Sequence, residues 1–287
     1  MDKLIEKNNL KRNYLIKFDS IFDELSFLTN SNDRLYILKY LLRYGCGNFS
    51  EMHKNLKLTY PTLSNNINRL QEMGFVVKKN SKFYLTNSGK IKTRLIFNLN
   101  NSIEVIDSYK LLWSNHTIED FPDELLLNIN LLRNSKIISS FRTNIYGLDD
   151  LIVENLKKSK FIYLIISEVN FKYADLISHS LNNNTPVYLI LPRNIYNKFL
   201  ELIDKQILKF AFYNKKLHLL ATNKLFKFNL FLNDFIFCIN LFYNDGLIDK
   251  NKLLISHDEN SLKWGKSLFD ICYSNSGTKY GSFIKSE

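Results

Sequence analysis

Residues 61–73 carry apolar side chains on one side of a helical pattern and polar, mostly uncharged side chains on the other. Leu63, Ile67 and Leu70 recur at intervals of three and four, which predicts that this side is buried. A helix that only meets solvent favours Glu and Lys, whereas Asn can pair with adenine and Arg with guanine. The pattern therefore indicates a surface that hydrogen-bonds base edges, although Asn is abundant throughout the chain and a solvated face fits equally well. The outward positions are Pro61, Ser64, Asn65, Asn68 and Glu72, flanked by Thr62 and Arg69.

Two short β-prone runs follow this helix and favour the first interpretation. Residues 75–79 and 82–86 flank the polar pair Asn80 and Ser81, which predicts a hairpin. A helix-turn-helix followed by a basic hairpin is a winged helix, in which the third helix enters the major groove and the hairpin contacts the DNA backbone. The lysines at the tip of the hairpin are Lys78, Lys79 and Lys82.

Shorter elements must hold the third helix in place. Ser31 or Asn32 can cap a helix that Gly45 ends. A short helix over residues 51–56 follows. Pro61 marks the first turn of the third helix, where proline is favoured because backbone N–H groups have no hydrogen-bond partner within the helix. The order of these elements agrees with the winged helix that the hairpin predicts.

The net charge is uneven along the chain. Thirty-nine Lys and Arg against 28 Asp and Glu leave +11, of which residues 1–90 hold 15 against 8, or +7. Residues 91–287 hold the remaining 24 against 20, or +4. A basic first third favours a nucleic-acid or acidic partner, although a general preference for Lys would give the same excess.

The third helix and the strand after it also carry a resemblance. Residues 59–76 read Thr-Tyr-Pro-Thr-Leu-Ser-Asn-Asn-Ile-Asn-Arg-Leu-Gln-Glu-Met-Gly-Phe-Val, which resembles the recognition-helix signature of archaeal and bacterial winged-helix repressors. Asn65 and Asn66 stand where many relatives carry Arg, Lys or His. With the lysines of the hairpin, the resemblance implies DNA contacts from Thr59, Tyr60, Thr62, Ser64, Asn65, Asn66, Asn68 and Arg69.

An apolar stripe continues beyond the hairpin. The turn at residues 86–89 resembles the one that opens a further helix in these regulators, and the stripe then recurs at three and four to about residue 112. It can pack on the winged helix itself or pair with a second chain, and we favour a homodimer that spans two half-sites. Asn residues near position 100 make a break there conceivable. The stripe consists of Ile91, Leu95, Leu99, Ile103, Ile106 and Tyr109.

Strand and helix patterns alternate in the last two thirds of the chain. Strands at 136–141, 161–166 and 185–191 alternate with helices, which predicts a parallel sheet covered on both faces. Residues 208–243 are rich in aromatic residues and predict antiparallel hairpins. The predicted class is α+β and α/β in two domains, with a winged helix, a linker helix and a mixed α/β, sensor-like domain. The boundaries are an N-terminal tail at 1–18, the winged helix at 19–90, a linker and dimerisation helix at 91–113, a regulatory domain at 114–275 and a C-terminal tail at 276–287.

Two further patterns extend the resemblance to residues 20–275. Trp113-x-x-His116 precedes Phe-Pro and Leu-Leu, and Ser256-x-Asp258 precedes Trp-Gly and Leu-Phe. Both resemble archaeal transcription regulators of the methanogenesis regulatory protein type. The resemblance implies a C-terminal domain that senses an effector or contacts a protein, and we interpret His116 as a structural residue beside Trp113.

The residues of the C-terminal domain favour binding over catalysis. The sequence has no Gly-x-Gly-x-x-Gly, no Gly-x-x-x-x-Gly-Lys-Ser/Thr and no Gly-x-Ser-x-Gly. No histidine is followed at two residues by Lys, as a phospholipase-D-type site requires, and Cys46 with His53 lacks further metal ligands. We therefore predict no enzyme, no cofactor and no metal. A hydrolase or nuclease of phospholipase-D-like architecture, and a winged helix that contacts protein, remain the alternatives.

A ligand would lie beyond the carboxyl ends of the parallel strands. Glu168 and Arg193 follow two of these strands and could orient a polar or zwitterionic molecule, with Tyr163 and Tyr188 nearby; a surface salt bridge is the alternative. Asp245 and Asp258 are further strand-end carboxylates.

The location of the protein is predicted from absences in the sequence. The longest apolar stretch is interrupted by polar residues, the N-terminus lacks a secretory pattern, and three distant cysteines fit reduced thiols. These features predict a cytoplasmic protein without a membrane partner.

Overall fold

The computed structural model of the chain describes residues 22–140 and 147–275. The chain divides into two compact units, Met1–Asn98 and Leu99–Glu287. The tails predicted at 1–18 and 276–287, and Phe141 of the first predicted strand, lie outside the described residues.

The first unit is helical with a small antiparallel sheet. Its strands follow the spatial order β1-β3-β2, so the hairpin β2–β3 borders the short β1. The elements are α1 (22–29), α2 (Asn32–Tyr44), β1 (Cys46–Gly47), α3 (Phe49–Leu56), α4 (Tyr60–Glu72), β2 (Val76–Lys79), β3 (Lys82–Leu85) and the start of α5 (Asn87–Ser108).

Side-chain caps begin the helices of this unit. Asn48 and Glu51 form a reciprocal capping box at the start of α3, and the Thr59 hydroxyl accepts the N–H of Thr62 at the start of α4. Pro61 lies in the first turn of α4, as predicted. The buried core that these helices share contains Leu28, Ile37, Leu38, Leu41, Met52, Leu63, Ile67, Leu70, Phe75, Val76 and Phe83.

The predicted hairpin is present. Val76 pairs with Leu85 and Lys79 with Lys82 in antiparallel register. Asn80 and Ser81 form the two-residue turn, and both adopt positive φ angles of 45° and 66°. The turn therefore sets Lys79 and Lys82 directly opposite each other at the tip.

Gly89 lies where the backbone of α5 approaches the backbone before β2. Thr86 begins α5 by accepting the Gly89 N–H at 2.9 Å, and its hydroxyl donates to the carbonyl of Gly74 at 2.6 Å. A Cβ on Gly89 would lie 2.2 Å from the carbonyl oxygen of Phe75. Any residue with a Cβ at this position would therefore require the main chain to move, so only glycine fits.

We expect Gly89→Ala to lower the free energy of unfolding by about 1 to 3 kcal/mol, the range for overpacked sites. Alanine gains about 1 kcal/mol of helix propensity over glycine, but a backbone clash outweighs it. Urea unfolding followed by circular dichroism measures the change. Asn87→Ala, at an exposed position in the same turn, is the control, and a Gly89→Ala protein as stable as that control would contradict the prediction.

The second unit is built on a mixed sheet. Seven strands within the described residues follow the order β4-β10-β9-β8-β5-β6-β7, in which only β5, β6 and β7 pair in parallel. Its elements after α5 are α6 (Lys110–Asn115), α7 (Asp123–Leu127), a 3-10 turn (Ile129–Leu132), β4 (Lys136–Ser139), α8 (Gly147–Leu156), β5 (Ile162–Ile165), α9 (Phe171–Asn182), β6 (Val187–Pro192), α10 (Arg193–Leu200), α11 (Lys205–Tyr213), β7 (Leu217–Thr222), β8 (Phe228–Leu232), β9 (Phe237–Leu241), β10 (Lys252–Ser256) and α12 (Glu259–Asn275).

Each face of this sheet has its own core. Side chains from α8 to α11 pack on one face, where Leu164, Leu189 and Tyr173 are buried. The C-terminal part of α5, together with α6, α7 and α12, packs on the other face, where Ile165 and Trp264 are buried. The prediction of a sheet covered on both faces is confirmed, but the sheet is only partly parallel.

The prediction of strands from residue 208 was wrong for its first part. Residues 205–213 form α11, because Asp204 caps it by accepting the N–H groups of Gln206 and Ile207. β7 then pairs in parallel with β6, and the antiparallel hairpin is β8–β9. A break near Asn100 is also absent: α5 continues to Ser108, and Tyr109 separates it from α6.

Candidate nucleic-acid interface

The outer side of α4 is polar and open. Leu63, Ile67 and Leu70 are fully buried in the core of the first unit. Asn68 and Arg69 are exposed on the other side of the helix, and so is Asn65. The amide and guanidinium groups of these three residues can therefore reach a partner without moving the core.

The remaining residues assigned to this surface have local roles. Thr59 and Thr62 share a hydroxyl hydrogen bond of 2.8 Å at the start of α4, while Ser64 is half-buried. The Asn66 amide donates to the Thr62 carbonyl at 2.9 Å, which commits one of its N–H groups within the helix. Tyr60 is exposed and stacks on His53 of α3 at 4.3 Å between ring centres.

The hairpin β2–β3, which follows α4 in the sequence, carries positive charge. Lys78, Lys79 and Lys82 are exposed, and none forms an ion pair with a residue that the structure describes. The ammonium group of Lys78 lies 5.7 Å from the ring centre of Phe83, a distance at which a cation–π interaction is weak. The three ammonium groups are free to meet phosphates.

Most of the apolar stripe on α5 faces solvent. Tyr109, its last predicted member, is instead buried and donates a hydrogen bond to the Ser135 carbonyl. A row of large apolar side chains on one helix needs a cover in water. The exposed fractions are 62% for Ile91, 62% for Leu95, 56% for Leu99, 49% for Ile103 and 48% for Ile106.

The four residues predicted to hold a ligand lie in different places. Glu168 forms an ion pair with Lys250 at 3.0 Å, and exposed Arg193 begins α10. Tyr163 and Tyr188 are register partners near the amino ends of β5 and β6, with ring centres 4.6 Å apart. Five residues of extended chain, about 16 Å, separate Tyr163 from Glu168. The structure does not bring the tyrosines to the strand ends.

The two tyrosines belong to a row of rings on the sheet. Tyr188 also stacks on His218, with ring centres 4.4 Å apart. Burial is the main cause that raises the pKa of Tyr163, and the neighbouring Tyr188 hydroxyl raises this pKa further. An open cavity of about 340 Å³ borders this row, with Phe161, Tyr163 and Lys266 in its walls. Lys266 already pairs with Asp270, so it is not an uncommitted cation.

His116 has a buried partner that the sequence did not indicate. Its Nδ1 donates to the Leu112 carbonyl at 2.7 Å, and its Nε2 lies 2.9 Å from Asp249. Both side chains are fully buried. His116 also stacks on Tyr243 at 4.6 Å, and burial, together with the hydrogen bond to Asp249, raises the pKa of Tyr243 to about 12. His116 is a structural residue, as predicted, although these partners replace Trp113.

The other carboxylates and thiols singled out in the sequence also have local roles. Asp258 accepts hydrogen bonds from the Asn134 amide and the Asn260 backbone, which lower its pKa. Asp245 accepts the Leu247 N–H. Cys46, Cys238 and Cys272 form no disulfide with one another. Among the described residues, no three His, Cys, Asp or Glu side chains are placed to hold a metal, and no helix is long and apolar enough to cross a membrane.

These features define a mixed α/β protein that joins a helix-and-hairpin unit to a seven-stranded unit. Two family models match it: the N-terminal domain of the methanogenesis regulatory protein FilR1 over residues 22–107, and the middle domain of that protein over residues 145–275. The chain therefore belongs to the family of archaeal regulators of the FilR1 type.

One curated relative is the methanogenesis regulatory protein FilR1 of Methanothrix harundinacea, which is 24% identical over 195 residues. The match covers 66% of this chain and 43% of the relative, so the chain spans less than half of that protein. Among solved structures, TrmBL2, an archaeal chromatin protein that shows a novel mode of DNA binding, aligns at 15% identity. The alignment covers 85% of this chain and 91% of TrmBL2, with a TM-score of 0.39. Ligand-free NadR aligns at 19% identity, covering 51% and 89%, with a TM-score of 0.24.

Proposed function

We propose that the chain is a DNA-binding transcription regulator whose first unit is a winged helix. The observation that carries this proposal is the exposed polar side of α4, bearing Asn65, Asn68 and Arg69, with three exposed lysines on the adjoining hairpin. Amide and guanidinium groups suit base edges, and lysines suit phosphates. Membership of a family of regulatory proteins supports the same function.

The exposed stripe on α5 supports a homodimer. A second copy presents the same stripe, so two α5 helices can cover each other about a twofold axis. Two linked winged helices bind two half-sites with higher affinity than one, because the second contact is intramolecular. Double-stranded DNA and a second copy of the chain are thus the proposed partners.

We assign the second unit an effector-sensing or protein-interaction role. Helices cover its sheet on both faces, and Glu168 and Arg193 lie at the carboxyl ends of β5 and β6, where a polar molecule could be held. The pairing of Glu168 with Lys250 adds a cation to this region. An effector with different affinities for two states would change DNA affinity by about 1 to 3 kcal/mol.

We expect substitutions in α4 and in the hairpin to weaken DNA binding in different ways. Asn65→Ala or Arg69→Ala should reduce discrimination between operator and random duplex by about 1 to 3 kcal/mol. Lys79→Ala should weaken binding to both duplexes alike and reduce the slope of log K against log salt by about one for each bound protomer. Fluorescence anisotropy on an operator selected from genomic fragments, across a salt series, measures both quantities.

Asn197→Ala, at an exposed position on α10, is the control and should bind as the unaltered chain does. Equal losses on operator and random DNA for the α4 variants would contradict base readout. Steady hydrolysis of a phosphodiester by the full chain would instead favour the hydrolase or nuclease.

A further inference from the structure

Three loops lie side by side at the amino-terminal edge of the parallel strands. They precede β5, β6 and β7 and cover residues 157–161, 183–186 and 214–216. The N–H of Ile162 donates to the Pro186 carbonyl at 3.0 Å, and the N–H of Val187 donates to the Lys216 carbonyl at 2.8 Å. Backbone hydrogen bonds therefore fix the spacing of all three loops.

These loops carry uncompensated positive charge. Lys158, Lys160 and Lys215 are exposed and form no ion pair with any residue in the described parts of the chain. Lys157 differs because it pairs with Glu154 at 2.6 Å. Asp234 is an exposed carboxylate at this edge that accepts the backbone N–H of Lys160 at 3.1 Å, and the three lysines outnumber it. We call Lys158, Lys160 and Lys215 the basic edge.

The chemistry around the basic edge suits a nucleic-acid backbone better than a protein. The middle loop contributes exposed Asn183 and Asn184, and the three loops themselves expose no large apolar side chain; the exposed aromatic residue Tyr213 directly precedes the third loop. Protein interfaces need an apolar, desolvated centre, whereas DNA interfaces are polar and strongly basic. Three neighbouring strands span about 10 Å, a distance over which a duplex presents several phosphates.

A lysine at the end of a helix also complements the helix dipole. That effect accounts for Lys157, which directly follows α8. It does not account for Lys160, which lies four residues beyond the end of α8 and one residue before Phe161. The shared feature of the basic edge is its position beside neighbouring strands.

We propose that the basic edge is a second DNA contact, which binds the phosphate backbone independently of base sequence. This inference rests on the proposed function, because it requires a chain that binds DNA. It assigns to the second unit a direct contribution to DNA affinity besides its regulatory role. Base discrimination stays with α4.

The test compares two triple variants of the full chain. One replaces the basic edge, Lys158→Ala, Lys160→Ala and Lys215→Ala. The matched control removes the same number of lysines elsewhere in the second unit, with Lys198→Ala on α10, Lys205→Ala on α11 and Lys227→Ala directly before β8, all at exposed positions. Binding to random and operator duplexes is measured by fluorescence anisotropy from 50 to 300 mM salt, values chosen around the range where phosphate contacts are lost.

We expect the basic-edge variant to reduce the slope of log K against log salt by about 2 to 3 for each bound protomer on both duplexes, at about 0.9 per contact. The ratio of operator to random affinity should stay unchanged, and the control should keep the original slope. An unchanged slope for the basic-edge variant, or an equal loss in the control, would overturn the inference while the proposed function stands. An unaltered chain that binds no duplex would overturn both.

Discussion

Asp249→Ala is expected to lower the free energy of unfolding by about 3 to 5 kcal/mol, the cost of removing one partner of a buried pair. The Asp249 carboxylate lies 2.9 Å from His116 Nε2 and accepts the N–H of Asn251 at 2.8 Å. The side chain of Tyr243 forms a third hydrogen bond with it. Removing the carboxylate leaves the buried His116 without its partner and the Asn251 N–H and the Tyr243 hydroxyl without this acceptor. The change is read from urea unfolding at fixed protein concentration, because a dimer makes stability depend on concentration.

A double variant separates the pair from the packing around it. His116→Leu with Asp249→Leu removes both partners, and such replacements are often close to neutral. We therefore expect the double variant to be more stable than Asp249→Ala. Asp245→Ala, which removes an exposed carboxylate nearby in the chain, should change stability by no more than about 0.5 kcal/mol. If the double variant loses as much stability as His116→Leu and Asp249→Leu lose when each is made alone and the two losses are added, the two residues act independently.

The sequence predicted the first unit well because its signals are local. The apolar spacing of α4, Pro61 in its first turn and the polar pair before Lys82 each act within a few residues. The same is true of Thr86, whose hydroxyl begins α5. The exposure of the polar side of α4 follows directly from the burial of its apolar side.

The structure of the second unit was harder to predict because it depends on contacts between residues that are far apart in the sequence. His116 and Asp249 are separated by 133 positions, so neither residue marks the other in the sequence. The aromatic run at 208–213 resembles a strand, yet the Asp204 cap and burial of Ala211 against the sheet make it a helix. The tyrosines expected near Glu168 lie along their strands instead, because register rather than composition fixes their position.

The stripe on α5 gives the other large expected effect. Leu99→Asp should raise the dissociation constant of the homodimer about a thousandfold. The proposed dimer covers two copies of Leu99, and losing about 2 kcal/mol of burial from each gives about 4 kcal/mol, at 1.4 kcal/mol per factor of ten. Sedimentation equilibrium over a range of protein concentrations measures the constant.

Asn100→Asp adds the same charge to the next residue of α5, off the stripe, and is the matched control. It should leave the dimer intact, since a carboxylate there stays in water. Operator affinity should fall together with dimerisation in Leu99→Asp, because a monomer loses the effective concentration that joins two half-sites. An unaltered chain that sediments as a monomer at micromolar concentration, or equal effects of the two aspartates, would contradict a dimer through α5. The exposed stripe would then need a different protein to cover it.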